Sequence, residues 1–330
     1  MSARLLALGA LTLLALGQAA CGSAQSGPSR HRAATAGKSA ATTTTTATTP
    51  TLPGTGRPQV TIGDKNFTEQ FVLGQLYLQA LKAEGFAVVL DRNIGPTDVT
   101  VRALANGTLS MYPEYLDTFN TVIAGDSRSF QTPRAAYRAA QRFALSRGLA
   151  LLHPTPYSYT SAIGVTVAYA HANGLRTIAD LRRVAPALTL GAPPQFQDPA
   201  GLPALEQAYG FVPAAFKALG IGAQYEALDM GSVQAADVNT TDGQLSGGGY
   251  LLLTDPQRVF GWGEETPVVS AKVLADEGPA FAARIDAVSA LLTTTVMRGL
   301  NAAVDVSHQD PAAVAKAFLQ AHGLAAATGS

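Results

Sequence analysis

Short apolar runs alternate with longer amphipathic segments along most of the chain, from residue 60 onward. The runs are bounded by glycine, proline or polar residues, which is typical of buried strands. We therefore predict strands at residues 60–62, 86–90, 109–112, 149–152, 163–167, 188–191, 233–238 and 250–253. Strands that alternate with helices in this way indicate an α/β fold with mostly parallel sheets.

The amphipathic segments carry ordinary helix start and stop signals. One predicted helix has Thr132 as its cap, Pro133 in its first turn and Gly148 just past its end. In a second predicted helix, Thr177 and Asp180 have the spacing of a capping box. These signals place helices after the strands, as an α/β fold requires.

A short pattern occurs once in each half of the body. Residues 102–112 and 226–236 share the pattern A-L-x-x-G-x-[LV], which describes a helix end, a glycine in the left-handed conformation and a strand. The repetition predicts two similarly built lobes. Coincidence between two common helix-to-strand turns is the alternative.

Composition and charge exclude several classes of function. The chain has 330 residues, of which 47% are hydrophobic, so one or two domains with real cores are expected. Because 23 basic side chains balance 23 acidic ones, a nucleic-acid partner is not expected. The five histidines have no metal-ligand spacing, and no nucleotide-binding or serine-nucleophile motif is present. We predict no metal, no cofactor and no enzyme activity, although an unrecognised pair of acidic residues stays open.

The N-terminus reads as a targeting segment. The apolar run at residues 5–16 is shorter than the roughly 20 residues of a membrane span, so we predict a signal peptide at 1–20. The single cysteine, Cys21, follows small residues in a pattern that resembles a bacterial lipobox, except that Gln18 stands where an aliphatic residue is usual. We predict that Cys21 is lipidated and anchors the protein outside the cytoplasmic membrane. A chance cysteine within the signal sequence is the alternative.

The segment after the cysteine differs in composition from the body. Residues 22–58 are rich in Ser, Thr, Ala, Gly and Pro and contain almost no large apolar side chains. Such a segment cannot bury enough surface to offset its ordering entropy. We therefore predict that 21–58 joins the lipidated cysteine to a disordered tether, and that 325–330 is a short tail.

Polar and aromatic clusters follow several of the predicted strands. They are KNFTEQ (65–70), YPEYLDT (112–118), PYSYTS (156–161), PPQFQDPAG (193–201), NTTDG (239–243) and VFGWG (259–263). In open α/β sheets, ligands bind outside the carboxyl ends of strands and against helix N-termini. Together the clusters predict a cleft between two lobes. Taken singly, Asn66 or Thr68 is equally a helix cap, and Tyr112 or Phe196 equally a core residue.

These segments resemble the substrate-binding proteins of osmoprotectant ABC importers, which take up glycine betaine, choline and related quaternary amines. The similarity is carried by KNFTEQ, RALANGTLSMYPEYLDT, TTDGQL, GLPALEQAYGF and the final segment MRGLNAAVDVSHQDPAAVAKAFLQAHGL, and it covers residues 59–324. The resemblance implies a type II-like periplasmic-binding-protein fold, with two lobes joined by two crossovers and the ligand cleft between them. It implies a first lobe from 59–153 and 262–324, a second from 154–261, a membrane permease as partner and a monomeric protein.

The resemblance also implies a binding mode. The family grips a trimethylammonium group in a box of tyrosines and meets the carboxylate of the solute with an arginine. A methylated cation has no N–H to donate, so ring faces replace hydrogen bonds, each contributing about 0.5–2 kcal/mol. Tyr115 keeps its place in this box. Ser161 stands where the second tyrosine is expected, with Tyr159 two residues before it.

The remaining positions of the binding pattern are changed as well. The arginine expected after Phe196 is absent, and the shortened segment there carries Asp198. Asn239 stands at an aromatic position, and Gly263 replaces the last tyrosine beside Trp262. The absent arginine argues against a carboxylate solute bound in the usual way, whereas Asp198 suits a plain cation such as choline if it faces the cleft.

Two interpretations of the pocket stay open. In the first, shifted rings rebuild an aromatic cage for a betaine-like solute, namely Trp262, Tyr159, Tyr157 and Phe196. In the second, the pocket is polar and binds another small solute through Asn239, Thr240, Ser161 and Asp198. In both, we expect Asn66 and Thr68 to contact the solute, while Glu69, at a capping-box offset from Asn66, is structural. A lipoprotein that senses a ligand for a signalling partner is a further alternative to transport.

Overall fold

The computed structural model of the protein describes residues 51–220 and 222–325. The predicted signal peptide, Cys21 and most of the predicted tether lie outside the described residues, as do residues 326–330 of the predicted tail. Within the described ranges there are ten strands: β1 (Val60–Gly63), β2 (Val88–Asp91), β3 (Met111–Tyr115), β4 (Leu149–Leu151), β5 (Ser161–Thr166), β6 (Thr189–Ala192), β7 (Ala215–Ala218), β8 (Ala235–Asn239), β9 (Tyr250–Leu252) and β10 (Glu265–Ser270).

The strands form two five-stranded sheets of the same design. The first sheet has the order β2-β1-β3-β10-β4 and the second has the order β7-β6-β8-β5-β9. In each sheet the first three strands are parallel, the fourth is antiparallel to the third, and the fifth is antiparallel to the fourth. We refer to the first sheet and the helices packed on it as lobe I, and to the second sheet and its helices as lobe II.

The prediction of mostly parallel sheets was wrong, because half of the strand pairings are antiparallel. In each sheet one strand runs opposite to the other four, and the cause is the same in both sheets. Strands β5 and β10 are the ones that the chain enters directly after passing from one sheet to the other. Each enters its new sheet beside the central strand and runs against it, so no helical crossover precedes the pairing.

Helices follow most of the strands, as predicted. They are α1 (Thr68–Ala83), α2 (Thr97–Ala105), α3 (Leu116–Thr118), α4 (Pro133–Ser146), α5 (Val167–Asn173), α6 (Leu202–Tyr209), α7 (Gln224–Asp229), α8 (Ala271–Glu277), α9 (Pro279–Ser289), α10 (Thr294–Asp305) and α11 (Pro311–Ala321). A π-helix, Phe119–Ile123, continues α3, and 3₁₀ helices lie at Ile178–Arg183, Ala185–Ala187, Pro194–Gln197 and Gly243–Gly247.

The predicted helix signals have their expected geometry. The hydroxyl of Thr132 accepts a hydrogen bond from the N–H of Ala135 at 3.2 Å, and Gly148 takes a φ of +69° after α4. The carboxylate of Asp180 accepts the backbone N–H of Thr177 at 2.8 Å, as in a capping box. That segment is a 3₁₀ helix rather than the predicted α-helix.

The repeated A-L-x-x-G pattern marks equivalent positions of the two lobes. Helix α2 ends before Gly107, which has a φ of +79°, and the chain continues into β3. Helix α7 ends before Gly231, with a φ of +66°, and the chain continues into β8. Strands β3 and β8 hold the same central position in their sheets. The predicted duplication of lobe design is therefore confirmed at the level of topology.

Two crossover segments join the lobes and pair with each other. Ser158 of the first crossover forms an antiparallel bridge with Glu264 of the second. The N–H of Tyr159 donates to the carbonyl of Gly263 at 2.8 Å, and the N–H of Thr155 donates to the carbonyl of Glu265 at 2.8 Å. These backbone hydrogen bonds hold the two connections side by side, so the lobes share a short two-stranded hinge.

Each lobe has its own apolar core. In lobe I, α1 packs on the first sheet through buried residues at helical spacing, including Val72, Leu76 and Tyr77, and α9, α10 and α11 pack around it. Among the described residues, no single helix has the length and apolar composition of a membrane span. Helices α9 and α10 reach that composition only as a pair bent by 84°, and apolar residues of both, such as Phe281 and Met297, belong to this core.

Candidate functional site

A cavity of approximately 460 Å³ lies between the two lobes. Residues that follow β3 line one side of it, including Asp117, Asn120, Arg128 and Phe130. Ser161 and Ala200 of lobe II and residues 256–262 of the second crossover line the other side. The cavity therefore lies beyond the carboxyl end of β3, where the topology predicts a ligand site.

Trp262 belongs to the second crossover and lines the cavity. Its indole N–H donates a 2.7 Å hydrogen bond to the carbonyl of Phe130 in lobe I. The guanidinium of Arg258 stacks on the ring, with 4.1 Å between its central carbon and the ring centroid. Arg258 has a φ of +57°, a left-handed conformation that few non-glycine residues adopt. Among the described residues, its guanidinium forms no ion pair.

Three rings that are not among the residues lining the cavity stack on one another. The Tyr115 and Tyr159 rings lie 4.7 Å apart, and Phe67 lies 5.6 Å from Tyr159 and 6.2 Å from Tyr115. Tyr115 is only 2% exposed, and its hydroxyl donates to Glu69 at 2.8 Å. Tyr159 therefore lies beside Tyr115, and its predicted role in a rebuilt cage stays a prediction. It covers one face of the Tyr115 ring.

Glu69 connects the two lobes beneath this stack. It is fully buried, and besides Tyr115 its carboxylate accepts the hydroxyl of Thr241 at 2.5 Å and the side-chain amide of Asn301 at 3.0 Å. Thr241 belongs to lobe II, whereas Glu69 and Asn301 belong to helices of lobe I. Burial raises the pKa of Glu69, and these hydrogen bonds partly offset the shift. Glu69 is therefore a shared element of both lobes rather than a local helix cap.

The segment KNFTEQ does not cap α1 through a side chain. Phe67 is the N-cap residue of the helix and makes no side-chain cap hydrogen bond, so the helix-cap interpretation of Asn66 and Thr68 was wrong. Asn66 is exposed, and the hydroxyl of Thr68 donates to Asp305 of α10 at 2.7 Å. Neither residue is among those lining the cavity. Their predicted contact with a solute stays a prediction.

Lys65 of the same segment forms a buried ion pair under the cavity wall. Its ammonium lies 2.5 Å from Glu114 of β3 and donates to the hydroxyl of Thr97 at 3.0 Å. Desolvation raises the pKa of Glu114, and the charge of Lys65 opposes that shift. Both side chains are almost completely buried, so removing either partner would leave an uncompensated charge. The pair holds β3 in place, directly before the cavity residues that follow it.

The other predicted site residues fall in different environments. Ser161 and Trp262 line the cavity. Phe196 lies in the core of lobe II, 6.2 Å from the ring of Phe260, and Asp198 is exposed outside the cavity. Tyr157, a candidate for a rebuilt cage, is fully buried in the core of lobe I.

Asn239 is the last residue of β8, and Thr240, which follows it, contacts the hinge. The hydroxyl of Thr240 donates to the carbonyl of Ser158 at 2.6 Å, and its own carbonyl accepts Arg298 of α10 at 2.8 Å. The N–H of Asn239 donates to Asp242 at 2.9 Å. The hydroxyl and carbonyl of Thr240 are therefore engaged by the crossover and by α10.

Two carboxyl groups give this region its electrostatic character. Burial raises the pKa of Asp117 to about 7, and the N–H of Thr118 partly offsets the shift. Burial also raises the pKa of Asp237 to about 7, although the hydroxyl of Ser161 lowers it. Asp117 belongs to lobe I and Asp237 to lobe II. Burial is the main cause that raises the pKa of the Tyr159 phenol, followed by the charge of Glu69, and the charges of Asp117 and Asp237 add to the shift.

Sequence reasoning missed several residues of the cavity. Asp117 lies within the segment YPEYLDT, but nothing in the sequence distinguishes it as a cavity residue. Residues 120–131 and 256–258 lie mostly in irregular segments whose composition gives no periodic signal. The only sequence feature that indicated part of the cavity was the aromatic and proline content around Phe260 and Trp262. The rest depends on contacts between distant parts of the chain.

Residues 58–321 match the family described as the substrate binding domain of ABC-type glycine betaine transport systems. The chain belongs to this family. It is 30% identical over 275 residues to the glycine-betaine-binding protein of Pseudomonas aeruginosa, covering 80% of this chain and 88% of that protein. It is also 30% identical over 285 residues to the glycine betaine-binding protein YehZ of Escherichia coli, covering 82% of this chain and 93% of that protein.

Solved structures show the same fold. The structure of a glycine betaine/carnitine/choline ABC transporter protein superposes with a TM-score of 0.75 at 22% identity, over 80% of this chain and 99% of that one. The structure of apo YehZ superposes with a TM-score of 0.68 at 30% identity, over 81% of this chain and 99% of that one. The predicted family and two-lobed binding-protein fold are confirmed. Proteins of this family are extracytoplasmic solute-binding components that work with membrane permease subunits.

Proposed function

We propose that this protein captures a small osmoprotectant, such as glycine betaine or choline, in the cavity between its lobes and delivers it to the permease of an ABC importer. The observation that carries the proposal is the composition of the cavity wall. Rings, a half-buried carboxyl group and a guanidinium without an ion pair converge there from both sides. The similarity to two glycine-betaine-binding proteins supports the class of solute.

The wall suggests how such a solute would be oriented. A quaternary ammonium group would lie near the rings of Phe260 and Trp262 and the carboxyl of Asp117. The carboxylate of glycine betaine would pair with Arg258, which takes the role of the arginine absent after Phe196. Choline has no carboxylate and would use only the first of these subsites. Cation–π contacts of this kind contribute about 0.5–2 kcal/mol each.

We further propose the lobe limits and the motion. Lobe I would comprise 59–153 and 262–324, and lobe II would comprise 154–261. The membership of the strands in two sheets and the paired crossovers support these limits. Binding would shift the population toward the closed arrangement, in which the cavity wall is complete and which the permease recognises.

The anchoring is also a proposal. A signal peptide at 1–20, lipidation of Cys21 and a flexible tether would place a monomeric binding body at the outer face of the membrane. Mass spectrometry of the protein purified from membranes tests this directly. A diacylglyceryl-modified N-terminal cysteine is the expected result, and an unmodified chain would contradict it.

Calorimetric titration tests the central part of the proposal. The protein is unfolded and refolded to remove any bound metabolite, and its folded state is checked by circular dichroism. Titration with glycine betaine and with choline is then expected to show saturable binding of one equivalent of at least one solute. The absence of heat with both solutes from a demonstrably folded sample would overturn the assignment.

One observation favours a second candidate, a polar pocket for a different small solute. Tyr115, the retained box position, is covered by Tyr159 and hydrogen-bonded to Glu69. The box of ring faces expected from the family is therefore filled by the protein's own side chains. On this candidate the transport role is kept and the hydrogen-bonding groups of the wall select the solute.

A further inference from the structure

Helix α4 of lobe I carries three arginines on its exposed face. Arg134, Arg138 and Arg142 follow one another at four-residue spacing, so they lie on the same side of the helix. All three are exposed, and none forms an ion pair among the described residues. The opposite side of α4 is buried and reaches the cavity through Ala136. We refer to Arg134, Arg138 and Arg142 as the arginine row.

Acidic residues do not balance the arginine row. Residues 127–179 contain no aspartate or glutamate, although the chain as a whole has equal numbers of acidic and basic side chains. Asp126 precedes this stretch, and Arg128 binds its carboxylate through two contacts of 2.7 Å and 2.5 Å. The hydrogen bond from Arg128 is the main cause that lowers the pKa of Asp126, and the charge of Arg142 contributes less. The row therefore keeps its positive charge.

An apolar side chain continues the row. Leu145 follows Arg142 by three residues, so it lies on the same side of α4, and it is 64% exposed. Arg147, just past the end of the helix, adds another exposed cation. Helices that lie on membrane surfaces combine basic side chains with leucines that enter the boundary between headgroups and acyl chains. Arginine also suits phosphate, because its planar guanidinium can donate two parallel hydrogen bonds.

The end of α4 lies close to the point where the chain enters the folded body. The N–H of Ala271, the first residue of α8, donates to the carbonyl of Gly148 at 2.9 Å. Near the other end of α8, the carbonyl of Asp276 accepts the guanidinium of Arg57 at 2.7 Å. Helix α8 has seven residues and is about 10 Å long. The chain therefore enters lobe I about one short helix away from the end of α4.

The proposed tether determines which surface is within reach of this face. As a flexible chain, residues 22–50 would have a root-mean-square end-to-end distance of about 30 Å. If Cys21 is lipidated as proposed, lobe I stays near the membrane, and a weak attraction is enough to dock it because the tether raises the effective concentration. This favours a lipid surface over an acidic loop of a permease, which only some copies of the protein would meet at any time.

These observations identify a partner for the exposed face of α4. We propose that the arginine row and Leu145 dock on the anionic phospholipid headgroups of the membrane to which the tether attaches. The inference goes beyond the proposed solute-binding function and does not depend on it, since none of the three arginines lines the cavity. Docking would leave the buried side of α4, and with it the cavity, in place.

Vesicle sedimentation tests the inference without the lipid anchor. The chain without its predicted signal peptide carries Cys21→Ser, which removes the acylation site. It is mixed with vesicles of phosphatidylcholine alone or with vesicles that contain about one third phosphatidylglycerol. We expect at least about tenfold stronger binding to the anionic vesicles at low salt, and loss of this difference in about 0.5 M NaCl. Equal binding of the folded protein to both vesicles would overturn the inference and would leave an acidic protein as the partner.

A triple variant locates the contact on α4. It combines Arg134→Gln, Arg138→Gln and Arg142→Gln. Each substitution is expected to lower the affinity for anionic vesicles about fivefold, so the triple variant should bind them little better than neutral ones. The control removes the same charge from exposed positions of lobe II through Arg176→Gln, Arg182→Gln and Lys217→Gln. Equal losses of vesicle affinity in the two triple variants would overturn the assignment to α4.

The apolar part of the contact has its own variant. Leu145→Ala is expected to lower the affinity for anionic vesicles about threefold, because less apolar surface enters the lipid boundary. Met230→Ala is the control, since Met230 is 71% exposed on lobe II and should leave the affinity unchanged. An equal effect of the two substitutions would overturn the role of Leu145.

Calorimetry on the same samples separates this inference from the proposed function. The triple variant of the arginine row is checked by circular dichroism and is expected to bind glycine betaine or choline as the wild type does. Vesicle binding without solute binding would contradict the proposed function alone. Solute binding without a preference for anionic vesicles would contradict this inference alone.

Discussion

The hydroxyl of Thr241 donates a 2.5 Å hydrogen bond to the carboxylate of Glu69, and this contact joins lobe II to the first turn of α1 in lobe I. Asn301 bonds to both partners, through the carboxylate of Glu69 at 3.0 Å and the carbonyl of Thr241 at 2.9 Å. The lobes therefore contact each other through a buried polar cluster as well as through the hinge. Such clusters are costly when only partly satisfied, because their members cannot turn to water.

Substitution of Thr241 tests the importance of this cluster. Thr241→Val keeps the shape of the side chain but removes the donor to a buried carboxylate. We expect the free energy of unfolding to fall by about 1.5–3 kcal/mol, as for hydrogen bonds to charged groups. Thr68→Val is the matched control, because its hydroxyl bonds to an aspartate at the surface. Equal losses in urea unfolding of the two variants would contradict the assigned role of the cluster.

The lobes also approach each other closely at Gly243, the first residue of the 3₁₀ helix Gly243–Gly247. A Cβ built on Gly243 would lie 2.6 Å from backbone atoms of Ala302 in α10, which cannot move without the helix. We therefore expect Gly243→Ala to destabilise the protein by about 1–3 kcal/mol, as overpacking does. Gly247→Ala lies in the same 3₁₀ segment and would contact nothing within 4 Å. Thermal unfolding of the two variants checks the difference, and equal melting temperatures would contradict the packing.

The position of Arg258 predicts that its substitution affects the binding of glycine betaine more than the binding of choline. If its guanidinium binds the carboxylate of glycine betaine, Arg258→Gln should lower the affinity for glycine betaine by about tenfold and the affinity for choline by less than about twofold. Arg176→Gln is the control, since Arg176 is exposed on lobe II and does not line the cavity. Calorimetric titration of both solutes gives the ratio. An equal loss of affinity for glycine betaine and for choline would show that Arg258 does not bind the carboxylate.

The raised pKa of Asp117 predicts a pH dependence of cation binding. With a pKa of about 7, most of the Asp117 population is neutral at pH 6 and ionised at pH 8, and the nearby charges of Glu114 and Lys65 act in opposite directions. Affinity for a cation such as choline, which stays positively charged over this range, is expected to rise by up to about tenfold from pH 6 to pH 8. In Asp117→Asn this rise should disappear. A pH-independent affinity in the wild type would contradict the role of Asp117.

The stability of the ligand-free protein should change in the opposite sense. The folded-state pKa values of Asp117 and Asp237 are raised from 3.8 to about 7. Their contribution to stability is therefore fully present below about pH 4 and is lost as the pH rises through about 7. Each group should lower the free energy of unfolding by up to about 1.4 kcal/mol per pH unit within that window. Urea unfolding at pH 5, 6 and 7 checks this slope, and Asp237→Asn should flatten it. Parallel slopes in the wild type and the variant would contradict the shift.

The sequence predicts the strands whose apolar runs are continuous and fails where burial is not apolar. Strand β7 (Ala215–Ala218) is a mostly exposed edge strand with no alternating pattern, so its sequence gives no signal. Strand β10 contains Glu265, Thr266 and Pro267 in buried positions, where polar residues and proline argue against a central strand. Distant segments supply partners that the local sequence does not reveal, such as the carbonyl of Leu152 for the hydroxyl of Thr266 at 2.9 Å and the hydroxyl of Tyr77 for one carboxylate oxygen of Glu265 at 2.9 Å.

The candidate site shows the same limit. The location of the site in the fold could be predicted, because polar and aromatic clusters that follow strands indicate a cleft. Ser161 and Trp262, which belong to such clusters, line the cavity. The role of Glu69 could not be predicted, since its offset from Asn66 imitates a capping box while its actual partners are 46, 172 and 232 residues away in sequence. Local patterns report on local structure, and the cavity is made by distant segments.

The most direct test of the account is a fluorescence titration, because Trp262 is the only tryptophan of the chain and lines the cavity between the lobes. The emission of the refolded protein is followed as glycine betaine and choline are added, and the midpoints are compared with those from calorimetry. The account predicts a saturable change in Trp262 emission with the same midpoint as the heat for each solute that binds. Calorimetric binding with unchanged emission would place the solute outside this cavity, and no binding of either solute would contradict the proposed function.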